Sequence, residues 1–204
     1  MVIEHRGKAP VIHESAFIAP NATICGDVRI GSNSQVLFGA VITAAGGAVE
    51  IGDNCVIMEN AVLRGTSQNP LKLGDNVLVG PHAHLTGCTV EDNVFLATGS
   101  SVFTGAHIGA GAEARINSVV HLKTSLPPNA TVPIGWIAVG DPCQILPPNE
   151  HETIWSIQKP LNFPKTVFGL DRPASGETIM PEAMSRYATS LGKHHRGDKI
   201  LEEE

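Results

Sequence analysis

Aliphatic side chains recur every six positions along most of this chain. Ile12, Ile18, Ile24, Ile30, Val36 and Ile42 form one unbroken run. Ile51, Ile57 and Leu63 form a second, and Leu73, Val79 and Leu85 a third. Val90, Leu96, Val102, Ile108, Ala114 and Val120 form the last. Four residues after many of these stands a small one, among them Ala16, Ala22, Ser34, Ala40, Ala61, Ala83, Ser100 and Ala112. A period of six matches neither the 3.6-residue helix nor the alternating strand. It matches a short strand plus a corner, repeated so that three repeats close one triangular coil. The aliphatic residue points inward and the small one fits the corner beside it. The pattern therefore predicts an all-β coil.

Breaks in the period mark loops. Ile42 and Ile51 are nine apart, which leaves three residues extra in the stretch Thr43-Ala44-Ala45-Gly46-Gly47. Leu63 and Leu73 are ten apart, which leaves four extra in the stretch Gly65–Pro70. Leu85 to Val90 is one residue short of the period. Insertions on such repeats map to loops, often on the binding face. The coil is expected over residues 1–145, with 1–11 leading in, and the period gives way to Pro-rich turns after Val120. Residues 146–204 are expected as a helical segment and tail packing on the coil. Asn149 is placed as the N-cap of a helix reaching about residue 158, before Glu150 and Glu152. Ile154, Trp155 and Ile157 of that helix are expected to dock on the coil wall. Residues 160–180 read as extended, Pro181 to about Leu191 as a second helix with Pro in its first turn, and the tail from Gly192 as polar and mobile.

Composition narrows the class. Aromatics make up only 4% of 204 residues, so the apolar content is Val, Ile, Leu and Ala, which suits a narrow stacked core. A net charge of −6 gives no support to a nucleic-acid or acidic-membrane partner. No apolar stretch has the length of a membrane span. The first residues lack the apolar core of a signal peptide, so the chain is expected in the cytoplasm with its thiols reduced. Cys25, Cys55, Cys88 and Cys143 form no close-spaced pair, and Cys55 stands at an inward position.

An aliphatic-Gly pair opens a unit at Ile30-Gly31, Ile51-Gly52-Asp53-Asn54, Leu73-Gly74-Asp75-Asn76 and Ile108-Gly109. With Glu59-Asn60-Ala61-Val62-Leu63 and Leu85-Thr86-Gly87-Cys88-Thr89-Val90, these segments resemble the gamma-class carbonic-anhydrase-like branch of the hexapeptide-repeat transferase superfamily, over about residues 10–145. The resemblance implies a left-handed parallel β-helix with a C-terminal α-helix and extended tail. It also implies a homotrimer with sites between adjacent subunits. The family's three zinc histidines fall on Arg64, Pro81 and Thr86, its Arg-Gly-Asp turn on Thr43-Ala44-Ala45, and its glutamine on Met58. Catalytic zinc needs about three protein ligands and an open position, so a standard zinc carbonic anhydrase is not expected.

His82 and His84 remain in that stretch, in Gly80-Pro81-His82-Ala83-His84. An imidazole can exchange protons near neutral pH or bind a metal. His82, His84 and Glu59 are the candidate catalytic residues, and Arg64 and Thr86 the candidate substrate-binding ones. Arg64 offers a fixed cation with paired donors for a carboxylate or phosphate. If a divalent metal is bound, His82 and His84 are its candidate ligands. His84 and Thr86 share the outward face beside Leu85. His121 falls in the column of Arg64 and Thr86, two coils beyond Thr86 and so roughly 10 Å away. His107 reads as a surface residue. His5, His13, His151, His194 and His195 show no ligand spacing, and His194-His195 reads as solvated tail. The expected function is a lyase- or hydrolase-type enzyme acting on a small anionic molecule at the subunit cleft. The alternatives are a CoA-dependent acyltransferase and a non-catalytic trimeric module. The acyltransferases of the superfamily usually carry a catalytic histidine on a long loop, and the loops at 43–48 and 65–72 contain none.

Overall fold

Each six-residue unit becomes one strand of two or three residues and one corner, and the inward residue of the unit is its pivot. The chain is a left-handed parallel β-helix with three flat walls, one of ten strands and two of seven. The computed structural model describes residues 1–44, 46–174 and 176–201. On the ten-stranded wall Ile24, Ile42, Leu63, Leu85, Val102, Val120 and Ala138 stand in direct register, coil above coil. All seven are buried, and with the inward residues of the other two walls they form one continuous core. Full burial of each Ile or Leu contributes about 1.5–3 kcal/mol.

The aliphatic-Gly-Asp-Asn units have a steric cause. Gly31, Gly52 and Gly74 lie where consecutive coils approach closely. A Cβ on Gly31 would meet the Gly52 carbonyl oxygen at 2.6 Å, and one on Gly52 the Gly74 carbonyl oxygen at 2.6 Å. The aspartate that follows reaches across to the neighbouring coil. The Ser32 N–H donates to Asp53 at 2.7 Å, that of Asp53 to Asp75 at 2.8 Å, and that of Asp75 to Asp92 at 2.8 Å. The asparagine then takes the left-handed corner, with φ 54° at Asn54 and 57° at Asn76, a region Asn tolerates better than most residues.

Several expectations along the chain are corrected. The period does not end at Val120: Leu126, Val132 and Ala138 are buried and continue it at six-residue spacing, and the Pro-rich segments are its corners. Residues 1–11 are more than a lead-in, because Val2–Glu4 pairs in parallel with Thr23–Cys25. The tail as far as Leu201 is built into the fold. Lys199–Leu201 pairs antiparallel with Val2–Glu4, and Gln144–Leu146 pairs antiparallel with Ile137–Val139. A parallel coil otherwise ends in a row of unpaired backbone groups. The C-terminal segment covers that edge at both ends of the ten-stranded wall.

Helix α1 runs His151–Gln158, with Glu150 rather than Asn149 at its N-cap and no side-chain cap. Ile154 is buried, but Trp155 is turned outward beneath the Arg172 guanidinium, 5.3 Å from the ring centroid. Residues 160–180 are not extended throughout, since α2 spans Phe163–Phe168. Its Phe168 packs edge-on against Phe163 and against Tyr187 of helix α3, Met180–His194, which has Pro in its first turn as expected. Among the described residues, no helix is long and apolar enough to cross a membrane.

Candidate functional site

Arg64 and Thr86 are register partners on adjacent strands of the ten-stranded wall, Val62–Arg64 and His84–Thr86. Leu63 and Leu85 point into the core between them. Alternation therefore sends Val62, Arg64, His84 and Thr86 outward. Arg64 is exposed, while His84 and Thr86 are half-buried. His84 Nε2 and Thr86 Oγ1 are 2.8 Å apart in a hydrogen bond, with donor and acceptor set by the imidazole tautomer. Burial lowers the His84 pKa from the ordinary 6.5, and the charge of Arg64 lowers it further. The ring is therefore neutral near pH 7. It can accept a proton there beside a permanent cation.

The column continues upward. Leu85 pairs with Val102 and Val102 with Val120, which places Phe103 and then His121 above Thr86. Phe103 lies between the two imidazoles, with ring centroids 6.4 Å from His84 and 6.2 Å from His121. Burial also lowers the His121 pKa, and His121 Nδ1 is buried without a hydrogen-bond partner. His121 thus stands two coils beyond Thr86, as the spacing predicts. Phe103 escaped the sequence reading, although its place one full coil before His121 puts it in the same column.

His82 is set apart from this group. It occupies a corner at φ 57°, in line with Asn60 at 59° on one side and Gly99 at 67° on the other. Its N–H donates to the Glu59 carbonyl at 3.0 Å, as part of the corner-to-corner ladder. His tolerates the left-handed region better than most residues, so the corner alone accounts for it. Glu59 is half-buried one position before the Asn60 corner. Among the described residues, no group of three or more His, Cys, Asp or Glu at metal-ligand spacing includes His82 or His84. Ala45, at the end of the turn expected to replace Arg-Gly-Asp, lies outside the described residues. Thr43 is the register partner of Arg64 on the side away from Thr86.

Cys55 and Cys88 are structural. Cys88 is fully buried, and burial pushes its thiol up to about 12. Cys55 is buried with its Sγ 3.1 Å from the Gly74 carbonyl oxygen. Neither forms the thiolate that nucleophilic chemistry requires. His107 is half-exposed and pairs with Glu91 at 2.9 Å. Two surface clefts, of about 180 and 650 Å³, lie elsewhere: the first is bordered by His5, Lys8 and Asp27, the second by Val11, Arg29 and Asp53.

Comparison with known proteins agrees with this architecture. Residues 9–44 match the family described as bacterial transferase hexapeptide (six repeats). The chain is 29% identical over 195 residues to gamma carbonic anhydrase 1, mitochondrial, of Arabidopsis thaliana, covering 92% of this chain and 67% of that one. Gamma carbonic anhydrases 2 and 3 of the same plant are matched over only 45% and 39% of their lengths. A solved candidate acetyltransferase of Bacillus cereus superposes with a TM-score of 0.62 at 27% identity, over 92% of this chain and 96% of that one. A protein of Methanocaldococcus jannaschii named "Probable carbonic anhydrase" is 32% identical over 149 residues, which are 73% of this chain and 90% of that one. With a relative matched at that identity over nearly its whole length, and with the coil described above, the chain belongs to the gamma-carbonic-anhydrase-like branch of the hexapeptide-repeat family.

Proposed function

We propose that the chain is an enzyme of this family acting on a small anionic molecule at the wall carrying Arg64, His84 and Thr86, and that it is not a standard zinc carbonic anhydrase. The observation that carries the reading is the pairing of a neutral, half-buried imidazole with a fixed cation on the adjacent strand. Arg64 would bind the carboxylate or phosphate through paired N–H donors. His84 would take or return the proton. The Thr86 hydroxyl holds the imidazole in one orientation through the 2.8 Å bond. Glu59 and His82 stand along the same edge as further candidates.

The residues present do not fit the family's zinc. At the three positions where the resemblance places its histidines stand a guanidinium, a pyrrolidine and a hydroxyl. Arg64 and Pro81 have no side-chain atom that can coordinate a cation. Thr86 Oγ1 is engaged with His84. The wall is flat on one protomer, and a second copy in a three-fold ring would supply the opposite side of a cleft.

A panel of small carboxylates and phosphate esters, assayed for turnover, tests the reading. Once a substrate is found, His84→Ala should abolish kcat, and Arg64→Lys should mainly raise KM, because the fork geometry is lost. Variants His82→Ala and His84→Ala that both keep full activity would move the chemistry to the loop Thr66–Asn69. Acyl transfer is the second reading, favoured by the likeness to the Bacillus cereus structure. Stoichiometric binding of acetyl-CoA by the purified protein would raise it above the first.

A further inference from the structure

We propose a divalent-metal site, separate from the Arg64 wall, formed by His5, His195 and Asp198. These three side chains each bring one ligand atom within 4.8 Å of the others. They come from opposite ends of the chain. His5 directly follows the strand Val2–Glu4, His195 caps the C-terminus of α3, and Asp198 directly precedes the strand Lys199–Leu201. The antiparallel pairing of those two strands, with Glu4 opposite Lys199, fixes the three positions against one another.

The donors converge on one point. His5 Nδ1 lies 2.5 Å from Asp198 Oδ1, and His195 Nδ1 lies 2.8 Å from Asp198 Oδ2. The His194 ring packs on His5 at 5.1 Å and on His195 at 5.8 Å, so three imidazoles crowd one carboxylate. His5 is only 4% exposed, and its Nε2 is buried without a hydrogen-bond partner. Burying an imidazole with one orphan nitrogen is unfavourable. The hydrogen bonds to Asp198 offset part of that.

Two imidazole nitrogens and one carboxylate oxygen form the donor set of zinc and neighbouring first-row divalent ions, and leave room for water in the remaining positions. The C-terminal end of the 15-residue helix α3 adds a favourable field for a cation. The ion would tie the last strand to the first, closing a loop of nearly the whole chain. Binding to the folded state alone would raise stability by mass action.

The full chain, prepared without a histidine tag and stripped with a chelator, is titrated with zinc chloride and separately with cobalt chloride. The expected result is one ion per chain, a visible cobalt absorption band and a higher melting temperature. His195→Gln and Asp198→Asn change partly exposed side chains and should leave the coil folded by circular dichroism. Each should weaken binding roughly 10- to 100-fold or more. The double variant His82→Ala, His84→Ala should bind as the parent does. Failure of the parent to bind stoichiometrically would overturn the proposal. So would unchanged binding in both His195→Gln and Asp198→Asn, or loss of binding in the His82/His84 variant.

Discussion

At Gly52 the sequence motif and its physical cause meet most plainly. The pair Ile51-Gly52 was legible as a repeat signature, but the reason for the glycine is a close approach between coils that spacing alone does not reveal. A Cβ there would stand 2.4 Å from an Asp75 carboxylate oxygen and 2.6 Å from the Gly74 carbonyl. Gly52→Ala should therefore destabilise by about 1–3 kcal/mol, read as a lower denaturant midpoint at unchanged slope. Ile57 is wholly buried in the stacked core. Ile57→Asp would place an unpaired charge there and should leave no soluble, folded protein. Circular dichroism of the refolded variant checks this.

His84 also belongs to the residue scale. Its folded pKa is depressed by burial and by Arg64, so between that value and 6.5 the unfolded chain binds more protons than the folded one. The stability it contributes is present above pH 6.5 and is lost as pH falls through the folded value. The same sign applies to activity if neutral His84 is the base. The acid limb of kcat/KM should have its midpoint below 6.5, and Arg64→Met should move that midpoint upward. A midpoint unaffected by Arg64→Met would detach the two residues. The outward column was readable from alternation. The His84–Thr86 bond and the ring of Phe103 between two imidazoles were not, since both depend on side-chain rotamers.

Among the elements, the strands were the most legible and the C-terminal segment the least. Six-residue spacing carries a strand and a corner in every unit, so it survives two loops and continues to Ala138. The Pro residues after Val120 resembled a break because Pro suits corners as well as coil ends. Lys199–Leu201 carries no period of its own, and nothing local in Gly197-Asp198-Lys199 tells that it will return to Val2–Glu4. Its partner is almost the whole chain away, and long-range pairing leaves no short-range trace. The same distance hid the meeting of His5 with His195 and Asp198. Truncation after Gly197 should uncover the edge of the first coil. The expected outcome is a lower melting temperature and concentration-dependent aggregation. A truncated chain as stable and as monodisperse as the parent would show that the strand is dispensable.

For the whole molecule, the period and the Gly-Asp-Asn units made the family readable, and relatives spanning most of the chain bear it out. The reaction was not readable, because the residues that distinguish this wall are departures from the family pattern, and a departure names no substrate. Assembly belongs to this scale. A homotrimer is expected, and light scattering should report about three times 21.5 kDa. A monomer at micromolar concentration would remove the second side of the proposed cleft. The chain keeps the fold of a gamma carbonic anhydrase and is proposed to have lost its zinc chemistry. Stopped-flow carbon dioxide hydration by the zinc-supplemented protein tests it most directly. The expected result is no rate above the uncatalysed reaction, even if zinc binds at His5, His195 and Asp198. Hydration at the rate of a working relative, lost on Thr86→Ala or Arg64→Ala, would contradict it.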